Sequence, residues 1–445
     1  MQVNRKEMLE AVTAVKKFTT QKSIPACARI LIDGAGQKVV ATDLTSRAEY
    51  AVQMTDFKRT VTVKPAPMPV IGEHFGKRLL DMKAVDLKAL CDSDLFKDKP
   101  DVAAATTKQD RKDAIFGLCL ADHDLYKATM VATGYVQEEP TVAEIDEMFL
   151  VDAELLRKIL KADDQDFITL TAEEYIAPAE IGGNPVGYEL KVGNYFKNIP
   201  LDRAEDFPEY AYPESLTEAV RVPGTELAWV SVPSMSATDD LRAHIVGIFF
   251  EQKNGRIAST DGSRLHLLSK VITSEVNLLI DRKAVSKVAA IAKDKDVAVM
   301  VSKSGDEAAL THGCMTVYTE NCRFDYPDFE ELLAPAKSDI GIDSKLLRSA
   351  CEQVGVMTAC GQFKFGGAIS VGGRAEYNGD CNRYDIPIAA GAVEPDINVA
   401  LNVNYITDAI KPMGKTVAMG LTSEEFAFSF AGNGMKALVM PMRLA

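Results

Sequence analysis

Apolar and polar positions along this chain follow two periods, one typical of amphipathic helices and one typical of strands. Apolar residues recur every three or four positions in six stretches, a spacing that predicts helices. These stretches are residues 4–22, 152–161, 225–242, 281–292, 344–357 and 405–410. Short apolar runs bounded by polar turns lie between them and predict strands. Pro233 stands inside the third stretch, so we expect that helix to break or bend there.

One predicted strand pair occurs twice. Residues 38–48 (KVVATDLTSRA) and 255–265 (GRIASTDGSRL) share an apolar run, a small residue, a Thr-Asp pair and a Ser-Arg pair. Each copy follows another apolar run and a short polar turn. This pattern predicts a β-hairpin whose second strand ends at Thr-Asp. Its recurrence indicates an internal repeat.

A second marker supports the repeat. The segment DFPEY at 206–210 is echoed by DYPDF at 325–329, and the second marker lies about midway between Pro208 and the end of the chain. The interval between the Thr-Asp pair and this marker is much longer in the first copy, which indicates an insertion. We therefore predict three similar domains, at 1–215 (with an insertion at about 57–146), 216–335 and 336–445.

The alternation of strands with two helices in each unit predicts an α+β fold, with two helices packed on antiparallel sheet in every domain. The insertion does not share this pattern. Within it we expect a helix at 76–95, a polar loop at 97–112 and strands at 115–120 and 126–132.

Composition indicates a globular protein, with 47% apolar and 26% charged residues. No stretch approaches the ~20 apolar residues that a membrane span needs. The eight cysteines form no C-x-x-C pair, and the chain begins with a polar amphipathic helix, so we expect reduced thiols and a cytoplasmic location. The five histidines lack metal-ligand spacing, so no metal or cofactor is expected. A net charge of −14 argues against simple coating of nucleic acid or of a membrane.

The closing residues 437–444 (ALVMPMRL) resemble the C-terminal signature of the bacterial sliding clamp family, the β subunit of DNA polymerase III. Residues 259–265 (STDGSRL) resemble the family's Thr-Asp-Gly-His-Arg-Leu, with Ser263 in place of the usual histidine. The segments 41–44 and 323–329 resemble the first-domain turn and the junction of the second and third domains. The resemblance covers the chain except roughly 57–146, and Ala445 is an addition at the end.

This resemblance implies a replication processivity factor without a catalytic site of its own. Two chains of three domains would pair head-to-tail into a closed homodimeric ring, and twelve helices would line a hole for duplex DNA. A heterologous contact that closes on itself forms such a ring. The resemblance assigns the dimer interface to Phe196, Val356 and Met357.

The six predicted helices together carry a small net positive charge within an acidic chain, as a layer facing DNA should. A ring that slides holds DNA by enclosure, without sequence-specific contacts, because tight phosphate contacts would slow it. A charged helix face can equally be a solvated surface. The candidate DNA-contacting cations are Lys16, Lys17, Lys22, Arg157, Lys158, Lys161, Arg242, Arg282, Lys283, Lys287, Arg348, Lys411 and Lys415.

The resemblance also implies a pocket between the second and third domains that takes short peptides with apolar anchors from the replicative polymerase, the clamp loader and other partners. Flexible methionines suit a groove that adapts to several anchors. A plain buried strand is the alternative for residues 438–442. The matching positions are Ile245, Thr260, Gly262, Arg264, Leu265, Pro327, Leu332, Leu438, Val439, Met440, Pro441, Met442 and Arg443.

Two other classes of function compete with this interpretation. An enzyme is one, since residues 414–416 (GKT) have the end of a phosphate-binding loop; Ala409 stands where that motif needs glycine. Asp43 and Asp261 could also form an acidic pair, although equivalent acids in repeats more often cap turns. The other class is a clamp-like regulator whose insertion blocks the ring or recruits a new partner.

Overall fold

The computed structural model describes residues 1–21, 24–55, 60–63, 84–121, 123–132, 141–144, 148–176, 186–192, 195–236, 245–322, 324–375, 379–391 and 397–442. The predicted site residues Lys22, Arg242 and Arg443 lie outside these ranges, as does much of the predicted insertion. By contacts the chain forms two compact units: Met1–Ala41 with Ala51–Pro208, and Thr42–Tyr50 with Glu209–Ala445.

The first elements are β1 Gln2–Asn4, α1 Arg5–Val15, β2 Ile30–Asp33, β3 Lys38–Thr42, β4 Ser46–Ala51 and β5 Met54–Thr55. Helix α1 begins where the Asn4 side chain accepts hydrogen bonds from two backbone amides of the first turn. Its apolar stripe is buried, as its spacing predicted. The helix passes into a 3₁₀ turn at Lys16–Phe18, so it is shorter than the predicted 4–22.

The insertion contains β6 Thr60–Val63, α2 Ala84–Cys91, α3 Pro100–Ala104, α4 Lys108–Ala121, α5 His123–Ala132 and β7 Thr141–Glu144. The strands predicted at 115–120 and 126–132 are wrong, because both stretches are helical. The polar loop predicted at 97–112 is also wrong in part, since it holds α3 and the start of α4. Strands β6 and β7 form an antiparallel ribbon.

Burial explains why these stretches are helices. Lys112, Ile115 and Cys119 are buried positions of α4, a spacing of three and four residues that only a helix places on one face. Ile115 and Cys119 pack with residues of α2, α3, α5 and the connection between α2 and α3 in one apolar cluster: Leu87, Leu90, Phe96, Val102, Ile115, Cys119, Leu125 and Tyr126. The insertion therefore has a core of its own.

The rest of the first unit comprises β8 Met148–Val151, α6 Ala153–Ala162, β9 Phe167–Ile176, β10 Val186–Val192 and β11 Tyr195–Arg203. Its strands are hydrogen-bonded in the order β3-β2-β8-β11-β10-β9-β1-β5, with antiparallel pairing. Helices α1 and α6 contact each other. The Asp152 side chain caps α6 by accepting from the amide of Leu155.

The second unit has two successive sets of elements. The first set is β12 Leu216–Pro223, α7 Gly224–Ser236, β13 Gly247–Glu251, β14 Arg256–Thr260, β15 Arg264–Ser269, β16 Leu278–Asp281, α8 Arg282–Ala292, β17 Asp296–Ser302, β18 Glu307–His312 and β19 Met315–Glu320. The second set is β20 Ser338–Asp343, α9 Ser344–Gly355, β21 Cys360–Phe365, β22 Ala368–Ala375, β23 Gly379–Ala390, β24 Ile397–Asn402, α10 Val403–Ile410, β25 Thr416–Leu421, β26 Phe428–Gly432 and β27 Met435–Val439.

Both sets follow one order: a strand, a helix, four strands, a helix and three strands. Helix α7 packs on α8, and α9 packs on α10. One run of strands has the order β12-β17-β18-β19-β4, and the other has the order β16-β13-β14-β15-β27-β26-β25-β20-β23-β22-β21-β24. Strand β15 thus joins the two sets by pairing with β27.

Pro233 does not break the third predicted helix, because α7 continues to Ser236. A proline removes the amide that would bond the carbonyl four residues earlier, here that of Trp229. The buried His266 ring contacts this carbonyl through Nδ1 at 2.9 Å. The helix is continuous because a neighbouring strand supplies the missing donor.

Candidate functional site

The turn between β14 and β15 is held by its own side chains. The Thr260 hydroxyl donates to the Arg264 carbonyl at 2.7 Å and accepts from the Gly262 amide at 3.0 Å. The Asp261 carboxylate accepts from the amides of Ser263 and Arg264 at 2.9 and 3.0 Å. Gly262 has a φ of +88°, a region that favours glycine. These contacts explain the residue order that the sequence repeats.

Arg264 ties this turn to two helices. Its guanidinium donates to Asp261 at 3.0 Å, to Asp408 of α10 at 2.8 Å and to the Ser236 hydroxyl at the end of α7 at 2.8 Å. It also lies over the Tyr405 ring, 4.2 Å from the centroid. The side chain is buried, with 2% exposed. We conclude that Arg264 holds the turn in place against α7 and α10.

An apolar cavity of about 220 Å³ opens beside the turn. Six of the predicted pocket residues line it, together with three that the sequence analysis missed. The predicted ones are Ile245, Thr260, Gly262, Leu265, Pro327 and Leu332, and the additional ones are Tyr326, Asp328 and Phe329. The DYPDF marker at 325–329 was the signal that could have identified them.

The segment 326–332 forms one wall of the cavity and is pinned in place. The Tyr326 ring stacks on Phe249 of β13, with centroids 4.6 Å apart, and meets Phe329 edge-on at 6.1 Å. The Arg256 guanidinium of β14 lies over the Phe329 ring, 5.1 Å from its centroid. Arg256 also pairs with Glu251 at 2.6 Å and with Glu330 of the wall segment. The wall is therefore anchored to the same hairpin that carries the turn.

Burial and charge shift two pKa values in this wall. Burial raises the pKa of Tyr326, whose hydroxyl has no hydrogen-bond partner within the described ranges. The hydrogen bond from Arg256 lowers the pKa of Glu330. The phenol is thus neutral and the carboxylate charged over the physiological pH range.

The C-terminal strand supports the cavity from behind. Leu265 pairs with Leu438 across β15 and β27, and both belong to the apolar cluster that contains Phe329. The Met440 amide donates to the Ser263 carbonyl at 2.9 Å, and Met442 is 40% exposed. Predicted pocket residues that do not line the cavity are Arg264, Leu438, Val439, Met440, Pro441 and Met442.

Solved structures share this architecture over its full length. The DNA polymerase sliding clamp from Bacillus subtilis matches with a TM-score of 0.67 and 13% identity, over 100% of this chain and 99% of the other. The β subunit of DNA polymerase III from Thermotoga maritima matches with the same coverage, a TM-score of 0.65 and 16% identity. The β subunit from Pseudomonas aeruginosa also matches with this coverage, with a TM-score of 0.66 and 15% identity. The chain has the sliding-clamp fold. No family model and no curated protein matches its sequence.

Within this sliding-clamp fold the turn at residues 42–46 repeats the hydrogen bonds of the Gly262 turn. The Thr42 hydroxyl donates to the Ser46 carbonyl at 3.0 Å, and the Asp43 carboxylate accepts from the Ser46 amide at 2.9 Å. Leu44 takes the place of Gly262, at a φ of +75°. The backbone of the two copies is therefore alike while the side chains differ.

The difference is chemical. Arg47 occupies the strand position that Leu265 has in the second copy. It is buried, pairs with Glu49 at 2.9 Å and lies 5.5 and 5.6 Å from the ring centroids of Tyr210 and Tyr212. The first turn of the sliding-clamp fold thus supports a polar and aromatic cluster, and the second an apolar cavity.

Several cations predicted to contact DNA are paired with acids. Glu154 accepts from Lys16 and from Arg157, the latter at 2.8 Å, and Lys158 lies 3.9 Å away. Hydrogen bonds from Arg157 and Lys16 lower the pKa of Glu154 to about 2. Three of the candidates therefore share one fixed negative charge.

Three more candidates contact a carboxylate or a backbone carbonyl. Lys287 pairs with Asp43 at 2.6 Å, the Arg282 guanidinium donates to the Ser234 carbonyl, and Arg348 lies 3.5 Å from Glu352. Burial raises the pKa of Asp43, but hydrogen bonds from Lys287, Thr45 and the Ser46 amide, together with the charge of Lys287, bring about a net lowering. The remaining described candidates are exposed: Lys17, Lys161, Lys283, Lys411 and Lys415.

Val356 and Met357, predicted to lie at a dimer interface, are strongly exposed. Val356 follows α9 with 82% of its surface exposed, and Met357 is 66% exposed. Phe196 lies in β11, and only its backbone is described. In the part of the chain that the structure describes, no helix is long and apolar enough to cross a membrane, and no three acidic, histidine or cysteine side chains could hold a metal ion.

Proposed function

We propose that this protein is a DNA sliding clamp, a processivity factor that encircles duplex DNA and tethers a polymerase and other proteins. The observation that carries the proposal is the full-length match of its fold to sliding clamps. The proposal includes the division into domains 1–215, 216–335 and 336–445 and a role without catalysis.

Equivalent strand pairs between repeats support a ring of two chains. Two junctions between repeats are antiparallel strand pairs, β4 with β19 and β15 with β27. By their order in the repeat, β23 is equivalent to β4 and β15, and β11 is equivalent to β19 and β27. We infer that β23 of one chain pairs with β11 of its partner, head-to-tail, which closes a ring. The exposed Val356 and Met357 lie in the domain that would supply β23.

The charge pattern supports loose contact with DNA. Cations on the helices stand beside acids such as Glu154 and Asp43, which reduces the number of phosphates that the ring could neutralise at once. Affinity that depends on few phosphate contacts is weak and allows sliding. We infer that enclosure, rather than attraction, retains the protein on DNA.

The apolar cavity supports the tethering role. Leu265, Phe329 and Leu332 offer an apolar lining, and the pinned wall makes the site largely preformed. Preformed sites bind short segments at a lower entropic cost. We infer that peptides with apolar anchors from the polymerase, the clamp loader and other partners insert there.

Retention on DNA tests the proposal. Loaded onto a nicked circular duplex by a clamp loader, the protein should stay bound during gel filtration in high salt, because the ring is linked topologically. It should be lost when a restriction enzyme linearises the circle, and kept when bulky protein blocks cap both ends. Equal retention on open linear DNA, or release by salt from the circle, would contradict enclosure.

A further inference from the structure

The wall of the cavity is acidic on its outer side. Residues 325–331 (DYPDFEE) contain four carboxylates and no lysine or arginine. All four are exposed: Asp325, Asp328, Glu330 and Glu331. Asp328 itself lines the cavity. An incoming segment that fills the cavity therefore meets Asp328, and the other three carboxylates are its neighbours in the wall segment. We call these four carboxylates the rim.

Nearby cations leave most of this charge unbalanced. Arg256 pairs with Glu330, and the charge of Lys253 also acts on that carboxylate, but Asp325, Asp328 and Glu331 form no ion pair within the described ranges. Arg264, behind the turn, already balances Asp261 and Asp408. Even with Arg323, which lies outside the described residues, the stretch 323–331 is net negative.

The rim also has a fixed position relative to the cavity. Arg256 holds Glu330 and covers Phe329, so the backbone that carries Asp328 and Glu331 is anchored to β14. The Asp328 carboxylate accepts from the Glu330 amide at 2.9 Å, which orients it within the rim. A rim of fixed charges next to an apolar cavity can select partners by charge.

We propose that the segment bound in this cavity carries lysine or arginine next to its apolar anchors. The inference rests on the proposed function, because it names the partner class of the same pocket. Apolar anchors fill the space between Leu265 and Leu332, and the flanking cations meet Asp328 and Glu331. Acidic flanks would place like charges together and are disfavoured.

Three labelled peptides with the same leucine and phenylalanine anchors test this, with lysine, glutamine or glutamate flanks. Fluorescence anisotropy with the full-length protein should show the lysine peptide binding roughly threefold to tenfold tighter than the glutamine peptide at low salt, the range for two exposed ion pairs. The glutamate peptide should bind most weakly. Added salt should reduce the differences.

Matched variants assign the effect to the rim. Asp328→Asn with Glu331→Gln should remove most of the preference, so that the ratio of the affinities for the lysine and glutamine peptides falls toward one. The control Asp294→Asn removes an exposed carboxylate in the turn after α8. It should change neither the preference for the lysine peptide nor the affinity for the glutamine peptide. Equal affinity of all three peptides, or an unchanged preference in the double variant, would overturn the charge inference and leave the pocket intact. Failure of all three to bind would count against both proposals.

Discussion

His266 shows how a single residue can be required by another far away in sequence. Pro233 leaves the Trp229 carbonyl without its helical donor, and a carbonyl can only accept, so His266 Nδ1 must carry the proton. The Trp229 and His266 rings stack with centroids 4.4 Å apart. Nε2 is then a buried nitrogen without a partner within the described ranges. Burial lowers the pKa of His266 to about 3.

This lowered pKa predicts acid sensitivity of the second unit. Between about pH 6.5 and 3 the unfolded histidine is protonated and the folded one is neutral, so stability falls as pH falls, by up to about 1.4 kcal/mol per unit. Urea unfolding followed by the fluorescence of the single tryptophan, at about pH 7 and about pH 5, measures this dependence. His266→Gln keeps a donor without the titration and should flatten it. An equal slope in this variant would exclude His266 as the cause.

Arg264 predicts a large stability effect because its partner Asp261 is also buried, with 6% of the side chain exposed. Arg264→Gln should lower the free energy of unfolding by about 3–5 kcal/mol, since a buried carboxylate loses its cation. The exposed Arg348–Glu352 pair is the matched control, and Arg348→Gln should cost about 1 kcal/mol or less. Similar losses in both variants, measured by the same urea unfolding, would contradict the structural role of Arg264.

At the scale of elements, the C-terminal strand joins the cavity to the last repeat. The Met440 amide bonds the Ser263 carbonyl of the turn, and the Met442 amide bonds the Ala400 carbonyl at 2.8 Å. Residues beyond β27 therefore hold the turn in place although they do not line the cavity. Met440 and Met442 can therefore contribute to the predicted pocket by supporting the turn, without lining the cavity.

Deleting residues 440–445 should abolish binding of a peptide with apolar anchors, because the turn loses its support on the β27 side. The fold should persist, since β27 itself keeps its pairs with β15 and β26. Peptide anisotropy measures the first effect, and far-UV circular dichroism with thermal unfolding measures the second. Unchanged affinity would refute the involvement of this segment in the pocket.

The elements were predictable to different degrees. Helices in the repeats were found because their apolar spacing is regular, and the turn at Gly262 because its hydrogen bonds require Thr and then Asp. Strands β23 and β25 were missed, since they contain polar or glycine positions that weaken the alternation. Helices α4 and α5 were mistaken for strands because short apolar runs fit either period.

At the scale of the whole molecule, the proposed ring places the exposed apolar residues that follow α9 in the interface between two chains. Val356→Asp with Met357→Asp should convert a dimer into monomers, because charge at an apolar interface must be desolvated. Val271→Asp is a control of similar exposure, 84%, outside the proposed interface. Light scattering at micromolar concentration measures the mass. A wild-type monomer, or a dimer that survives the double change, would contradict this interface.

The sequence by itself determined the repeat, its helices and the two Thr-Asp turns, because spacing and turn hydrogen bonds are local properties. It also indicated part of one wall of the cavity through Pro327 and Leu332. Only the tertiary structure decided that Leu438 lies behind the cavity, that Arg264 is buried between acids and that several helix cations lie beside acids. Those outcomes depend on which distant strands and helices meet, and no local pattern contains that information.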